Sequence, residues 1–192
     1  MIPALPEENA FLIQWLSNVL GHELNEEQFN QYQAGVFEPL FQALEEQGFA
    51  KYVLGMKEAL VSLKNDKFGY LELAADFTET FLLDGESSAL PYASAYLTED
   101  ATENNLKFMD SALERFQLQI NKESKEPSDH VCVYLEILNQ FIQHTPEAEQ
   151  QSFIDNYLLS WLVPFYEKVQ KIPTKTQFYQ NAVGLLIAIL TA

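Results

Sequence analysis

The stretch EPSDHVCVYLEILNQF, residues 126–141, sets Glu126, Asp129 and His130 at the mouth of an apolar run with helical spacing. Two chemistries fit. Asp129 or Ser128 can cap the helix, its side-chain oxygen accepting from the open N–H groups of the first turn. Alternatively, the carboxylate and imidazole form a recognition or proton-transfer site. His130 and Tyr134 are four apart and share a face. A cation at a helix start opposes the macrodipole, which favours the neutral imidazole. Adjacent helical residues diverge by about 100°, so a direct Asp129–His130 dyad is awkward.

Two further clusters have suggestive spacing. Glu72, Asp76 and Glu79 in LELAADFTETF differ by four and three, which lines three carboxylates along one helix edge. Leu73, Phe77 and Phe81 stripe the adjacent face. The plain reading is a solvated edge beside a core face; the sharper one is an acidic rim along an apolar groove. Such a groove suits a peptide with basic residues followed by apolar ones. Tyr92 and Tyr96 in LPYASAY are four apart, and serve equally as half-buried packing or as peptide contacts.

Standard catalytic signatures are missing. There is no P-loop, no GxGxxG after a strand and no Gly-x-Ser-x-Gly, and HELNE at His22 lacks the second histidine of a zinc helix. A single histidine beside Asp129 is too few for a metal site. Cys132 lies in an apolar helix start, where a structural thiol is expected.

The elements that must position these residues are helical. Phe11, Leu12, Trp15, Leu16, Val19 and Leu20 recur at three and four and stop at Gly21. Asn25 with Gln28 reads as a capping box. Pro39 fits an early helical turn, and Gly48 closes that helix. Residues 83–91 are a loop by composition. Pro91 opens a turn or two of helix, and residues 99–119 are helical again. A helix runs from about Asp129 to His144, and Thr145 caps the next one with Pro146 at its first position. Pro164 restarts the chain after an apolar run, and Thr174 or Thr176 caps the last helix. No stretch alternates convincingly with period two, so the expected class is all-α.

Bulk properties restrict the partners. The chain has 192 residues, 47% of them hydrophobic, and a net charge of -17. That field repels nucleic acid and anionic membranes and attracts basic partners. The first basic side chain is Lys51. One cysteine fits a reducing compartment, the N-terminus lacks a secretory pattern, and the apolar end at 182–192 is too short to span a bilayer. A cytoplasmic protein is expected.

Three segments in order, LELAADFTETFLL, ALPYASAYL and EPSDHVCVYLEIL, resemble the TorD family of redox-enzyme maturation chaperones. The EPxDH pattern followed by YLE is the most specific of these signals. WLVPFYEKVQ and QFYQNAVGLL are similar to the family's closing helices. The resemblance covers roughly residues 50–190 well and the first helices only in general character. It implies an all-helical, non-catalytic chaperone without cofactor or metal. Its partner would be a molybdoenzyme precursor, bound through a twin-arginine leader and its body until the molybdenum cofactor is inserted. Trimethylamine N-oxide reductase is the first client implied, and a dimethyl sulfoxide reductase the alternative.

By position, the family's binding residues fall on Asp76, Asp129 and His130, with Tyr92, Tyr96 and Glu126 in the same motifs. Some members are linked to guanine nucleotides, for which this sequence gives no independent support. Members also exchange C-terminal parts, which implies a monomer or a domain-swapped homodimer. The proline-ended stretch 121–127 is then the hinge between helical parts 1–120 and 128–192. Two rivals remain. One is a hydrolase with His130 as base and Asp129 or Glu126 as partner; the other is an assembly protein that needs only its partner's folded domain.

Overall fold

The computed structural model describes residues 6–118 and 128–192, with the side chains of residues 6 and 7 excepted. Glu126 and the expected hinge at 121–127 lie outside the described residues. The fold is all-α. The helices are α1 Pro6–Gly21, α2 Glu26–Gln33, α3 Glu38–Leu44, α4 Ala50–Ser62, α5 Gly69–Phe81, α6 Glu99–Arg115, α7 Val131–His144, α8 Glu147–Phe153, α9 Leu159–Val169 and α10 Phe178–Thr191. Among the described residues no strand forms. An isolated antiparallel bridge joins Tyr92 and His130.

Helix ends follow local chemistry. Asn25 caps α2 and accepts from Gln28 N–H, while the Gln28 side chain accepts from Asn25 N–H, which completes the expected capping box. Pro39 sits in the first turn of α3. Gly48, with φ +98°, breaks the π-helical turn Glu45–Phe49 between α3 and α4, a conformation that costs glycine little.

Three expectations need correction. Helix α6 ends at Arg115 and not near 119, because Gln117 takes a left-handed φ of 54°. Pro164 lies inside α9 instead of restarting the chain. Its neighbours Trp161, Leu162 and Phe165 are buried, and such burial outweighs the roughly 3 kcal/mol cost of an interior proline. Pro146, not Thr145, precedes the first turn of α8, while the Thr145 hydroxyl donates to Phe141 C=O at the end of α7.

The chain forms two compact units. The first comprises residues 1–21, 91–165 and 190–192. Here α1 packs along α7, with Leu16, Val19, Leu135 and Leu138 buried. Close approach depends on Gly21, where an added Cβ would lie 3.0 Å from Cys132 Sγ. The second unit comprises residues 22–90 and 166–189. Its core joins Tyr32 to Phe178, and Phe77 and Phe81 to Tyr179, by edge-on ring contacts.

Candidate functional site

His130, and neither Asp129 nor Ser128, is the N-cap of α7. Its Nδ1 accepts from Cys132 N–H at 3.2 Å. An acceptor nitrogen carries no proton, so this bond selects the neutral ring that the helix dipole favours. The correction has a physical reason: Asp129 is engaged elsewhere. Its Oδ2 accepts from Ser94 N–H at 3.1 Å, and its carbonyl accepts from Ala93 N–H at 3.0 Å. Val131 N–H donates to Pro91 C=O at 2.9 Å. The start of α7 is therefore stitched to the 91–96 turn, with a 3₁₀ turn at Ala93–Ala95.

This stitching brings three expected site residues together in the first unit. Tyr92 meets His130 edge-on at 5.1 Å. Asp129 and His130 are buried, at 5% and 7% exposure. Among the described residues no hydrogen bond to Asp129 Oδ1 is formed. Burial, helped by the Asp129 charge, pushes the Tyr134 hydroxyl above its usual range and keeps it a neutral donor. It donates to Asn105 Oδ1 at 2.5 Å.

Tyr96 belongs to the same unit but serves packing. Its ring lies against Trp161 and Phe165. Its hydroxyl is buried without a hydrogen-bond partner among the described residues, and burial raises its pKa. Cys132 donates its thiol to Ser17 C=O at 3.4 Å, as a structural thiol does.

Asp76 lies in the second unit and is only 2% exposed. Its carboxylate is fully occupied. Oδ1 accepts from Lys175 N–H at 2.8 Å, and Oδ2 accepts from Thr176 N–H at 2.8 Å and the Thr176 hydroxyl at 2.5 Å. Thr176 Oγ1 in turn accepts from Phe178 N–H at 3.4 Å, at the start of α10. Asp76 thus fixes the turn ahead of α10 and does not stand on a solvated edge with Glu72 and Glu79. Lys175 Nζ pairs instead with Glu72 at 3.1 Å.

The sequence reading missed a feature of α5. Leu73, Phe77 and Phe81 form the buried face as expected, but Phe68, Leu71 and Leu82 are more than half exposed. With exposed Ala75 they make a second apolar stripe flanked by Glu72 and Glu79. The signal was the helical spacing of 68, 71, 75 and 82, hidden by the stronger stripe beside it.

Comparison with known proteins decides the family. Residues 42–167 match the family model described as nitrate reductase delta subunit. The chaperone protein TorD of Pasteurella multocida (strain Pm70) is 50% identical over 192 residues, covering all of this chain and 98% of that protein. The chain belongs to the TorD family of chaperones. The TorD protein of Histophilus somni (strain 129Pt) is 47% identical over 99% of this chain and 98% of its own length. That of Vibrio vulnificus (strain YJ016) is 34% identical over 97% and 93%. TorD-family proteins are chaperones and not enzymes, which removes the ground for the hydrolase alternative.

Among the described residues no group of three or more His, Cys, Asp or Glu side chains could hold a metal. Nor is any helix there long and apolar enough to cross a membrane.

Proposed function

We propose that this chain is a cytoplasmic chaperone that binds the twin-arginine leader and apo form of a molybdoenzyme, with trimethylamine N-oxide reductase as the first client to test. It would assist insertion of the molybdenum cofactor before export. The observation that carries this reading is the second oxygen of Asp129. Among the described residues it accepts no hydrogen bond, and it lies at the mouth of α7 beside Tyr92 and His130. An arginine supplies planar N–H donors in fixed geometry for such an acceptor. Asp76, by contrast, has both oxygens engaged. It enters as the residue that fixes the 175–176 turn, while Asp129 meets the arginine.

The chain's charge of -17 favours a basic leader. Glu126, in the same EPSDH motif, adds a carboxylate to the sequence around Asp129.

The test is a calorimetric titration with a synthetic leader from trimethylamine N-oxide reductase, run beside one with both arginines changed to lysine. Saturable binding that weakens at least tenfold with the lysine leader supports the reading. Equal binding of both, or none, sinks it as a twin-arginine site. A dimethyl sulfoxide reductase leader that binds more tightly would reassign the client.

A further inference from the structure

Helix α5 carries its exposed apolar stripe symmetrically. Phe68 and Leu82, its two cap residues, each lie seven positions from Ala75, and Leu71 and Glu79 each lie four. At 100° per residue these five positions fall within about 80° of the helix circumference, so they share one face. All five are exposed, Phe68, Leu71 and Leu82 by more than half. The opposite face, with Leu73, Asp76 and Phe77, is buried. From Phe68 to Leu82 the stripe runs for about four turns, or roughly 21 Å.

The two ends of the stripe differ in charge. The turn before α5 carries Lys64 and Lys67, both exposed, and Lys67 Nζ lies 5.3 Å from the centre of the Phe68 ring. Among the described residues neither lysine forms an ion pair. Lys175 reaches the same end, where it meets Glu72 at 3.1 Å and Asp66 at 3.7 Å. At the other end Glu79, Asp84 and Glu86 are exposed. Hydrogen bonds from the Ser87 and Glu86 N–H groups hold the Asp84 carboxyl below its usual range and so keep it charged. Lys168 is committed there to the Gly85 C=O.

A partner of one charge sign matches only one end of this stripe. A second copy of the chain, laid antiparallel, matches both. About a two-fold axis at Ala75, Phe68 meets Leu82 of the second copy, and Leu71 packs on the methylene groups of its Glu79. Lys64 and Lys67 then face the Glu79, Asp84 and Glu86 carboxylates of that copy, and the same contacts repeat across the axis. Ala75, small and at the crossing point, lets the two helices approach closely. We propose that α5 is the contact of a two-fold homodimer of folded chains, formed without exchange of any segment. The stripe falls well short of the roughly 800 Å² per partner of a standard interface, so the association is weak and reversible.

The test is sedimentation equilibrium of the full-length protein from about 10 μM to about 1 mM, the range that a small interface requires. A monomer–dimer equilibrium that reverses on dilution is expected. Ala75→Arg sets a charge on the axis and should raise the dimer Kd at least tenfold. Leu71→Gln should raise it severalfold and covers the case in which Ala75→Arg fails to fold. Lys67→Glu should weaken the dimer, and adding Glu79→Lys to it should restore most of the affinity. Mild oxidation of Ala75→Cys should join two chains through the introduced thiols, as peptide mapping would show. A chain that stays monomeric at the highest concentration would overturn the proposal. So would a dimer that Ala75→Arg and Leu71→Gln leave unchanged, or one that persists on dilution, as a segment-exchanged dimer does.

Discussion

Asp129 Oδ2 accepts a hydrogen bond from the backbone N–H of Ser94, 3.1 Å away and 35 residues earlier in the chain. The bond ties two motifs of the sequence, LPYASAY and EPSDH, into one local structure. It uses one carboxylate oxygen; among the described residues the other accepts no hydrogen bond. Asp129→Asn keeps the shape and an acceptor for Ser94 but removes the charge. Ser94 is exposed, so water can satisfy its N–H where the bond weakens. The expected melting temperature is within about 4 °C of wild type, the shift of roughly 1 kcal/mol in a chain of this size. Leader affinity should fall at least tenfold, the scale of a charged hydrogen bond worth about 1.5–3 kcal/mol. Thermal melts beside calorimetric titrations check both numbers. A large loss of stability with unchanged affinity of the folded protein would make Asp129 purely structural.

Asp76→Ala should behave in the opposite way. It strips the acceptor from Lys175 N–H and Thr176 N–H, and Thr176 is buried. Unsatisfied buried donors cost about 1–3 kcal/mol each, so a loss of about 3 kcal/mol is expected. That corresponds to roughly 6–12 °C in melting temperature. Urea unfolding measures it directly. A mutant as stable as wild type would show that the 175–176 turn holds without Asp76.

These two aspartates show what the sequence could and could not disclose. The helical period and the Asn25–Gln28 box were legible because they are local. The second oxygen of Asp129 and the three donors on Asp76 were not. They depend on groups 35 and about 100 residues away in the chain, the backbone of Ser94 and Lys175 and both the backbone and hydroxyl of Thr176. Spacing placed Asp76 on an edge with Glu72 and Glu79, yet the edge of a helix becomes its interior when another segment needs an acceptor there. The N-cap of α7 was misread by one residue for a related reason. Asp129 is the stronger capping type, but its carboxylate goes to Ser94, and His130 takes the cap.

His130→Ala removes that cap and the Tyr92 contact together. A loss of about 1 kcal/mol is expected, as for other caps. His130→Asn offers a side-chain oxygen in place of Nδ1 and should recover most of the stability. If leader binding recovers as well, His130 acts only by starting α7. If binding stays weak while stability returns, the imidazole itself contacts the leader.

Two glycines of the second unit should differ in tolerance. At Gly184 an added Cβ would lie 2.5 Å from the Tyr52 ring and 2.6 Å from the Tyr166 hydroxyl. A ring cannot turn aside cheaply, so Gly184→Ala should cost about 1–3 kcal/mol by overpacking. At Gly55 the Cβ would fall on the Asn181 amide. That side chain is half-buried and can rotate, losing its bond to Gln177 C=O at 2.7 Å. Gly55→Ala should therefore cost less than Gly184→Ala in denaturant unfolding. The reverse order would mean that the Asn181 amide is fixed more firmly than the two tyrosines.

Tyr96 separates packing from recognition. Its ring has partners in Trp161 and Phe165, but its buried hydroxyl has no hydrogen-bond partner among the described residues. A hydroxyl that leaves water without gaining a hydrogen bond costs the fold about 1–3 kcal/mol. Tyr96→Phe should therefore be neutral or stabilising, against the usual direction of core substitutions. The leader titration then decides the role. Unchanged affinity in the more stable variant would confine Tyr96 to packing. A severalfold loss of affinity without loss of stability would mean that the hydroxyl finds its partner only in the complex, and would bring Tyr96 into the site beside Tyr92, Asp129 and His130.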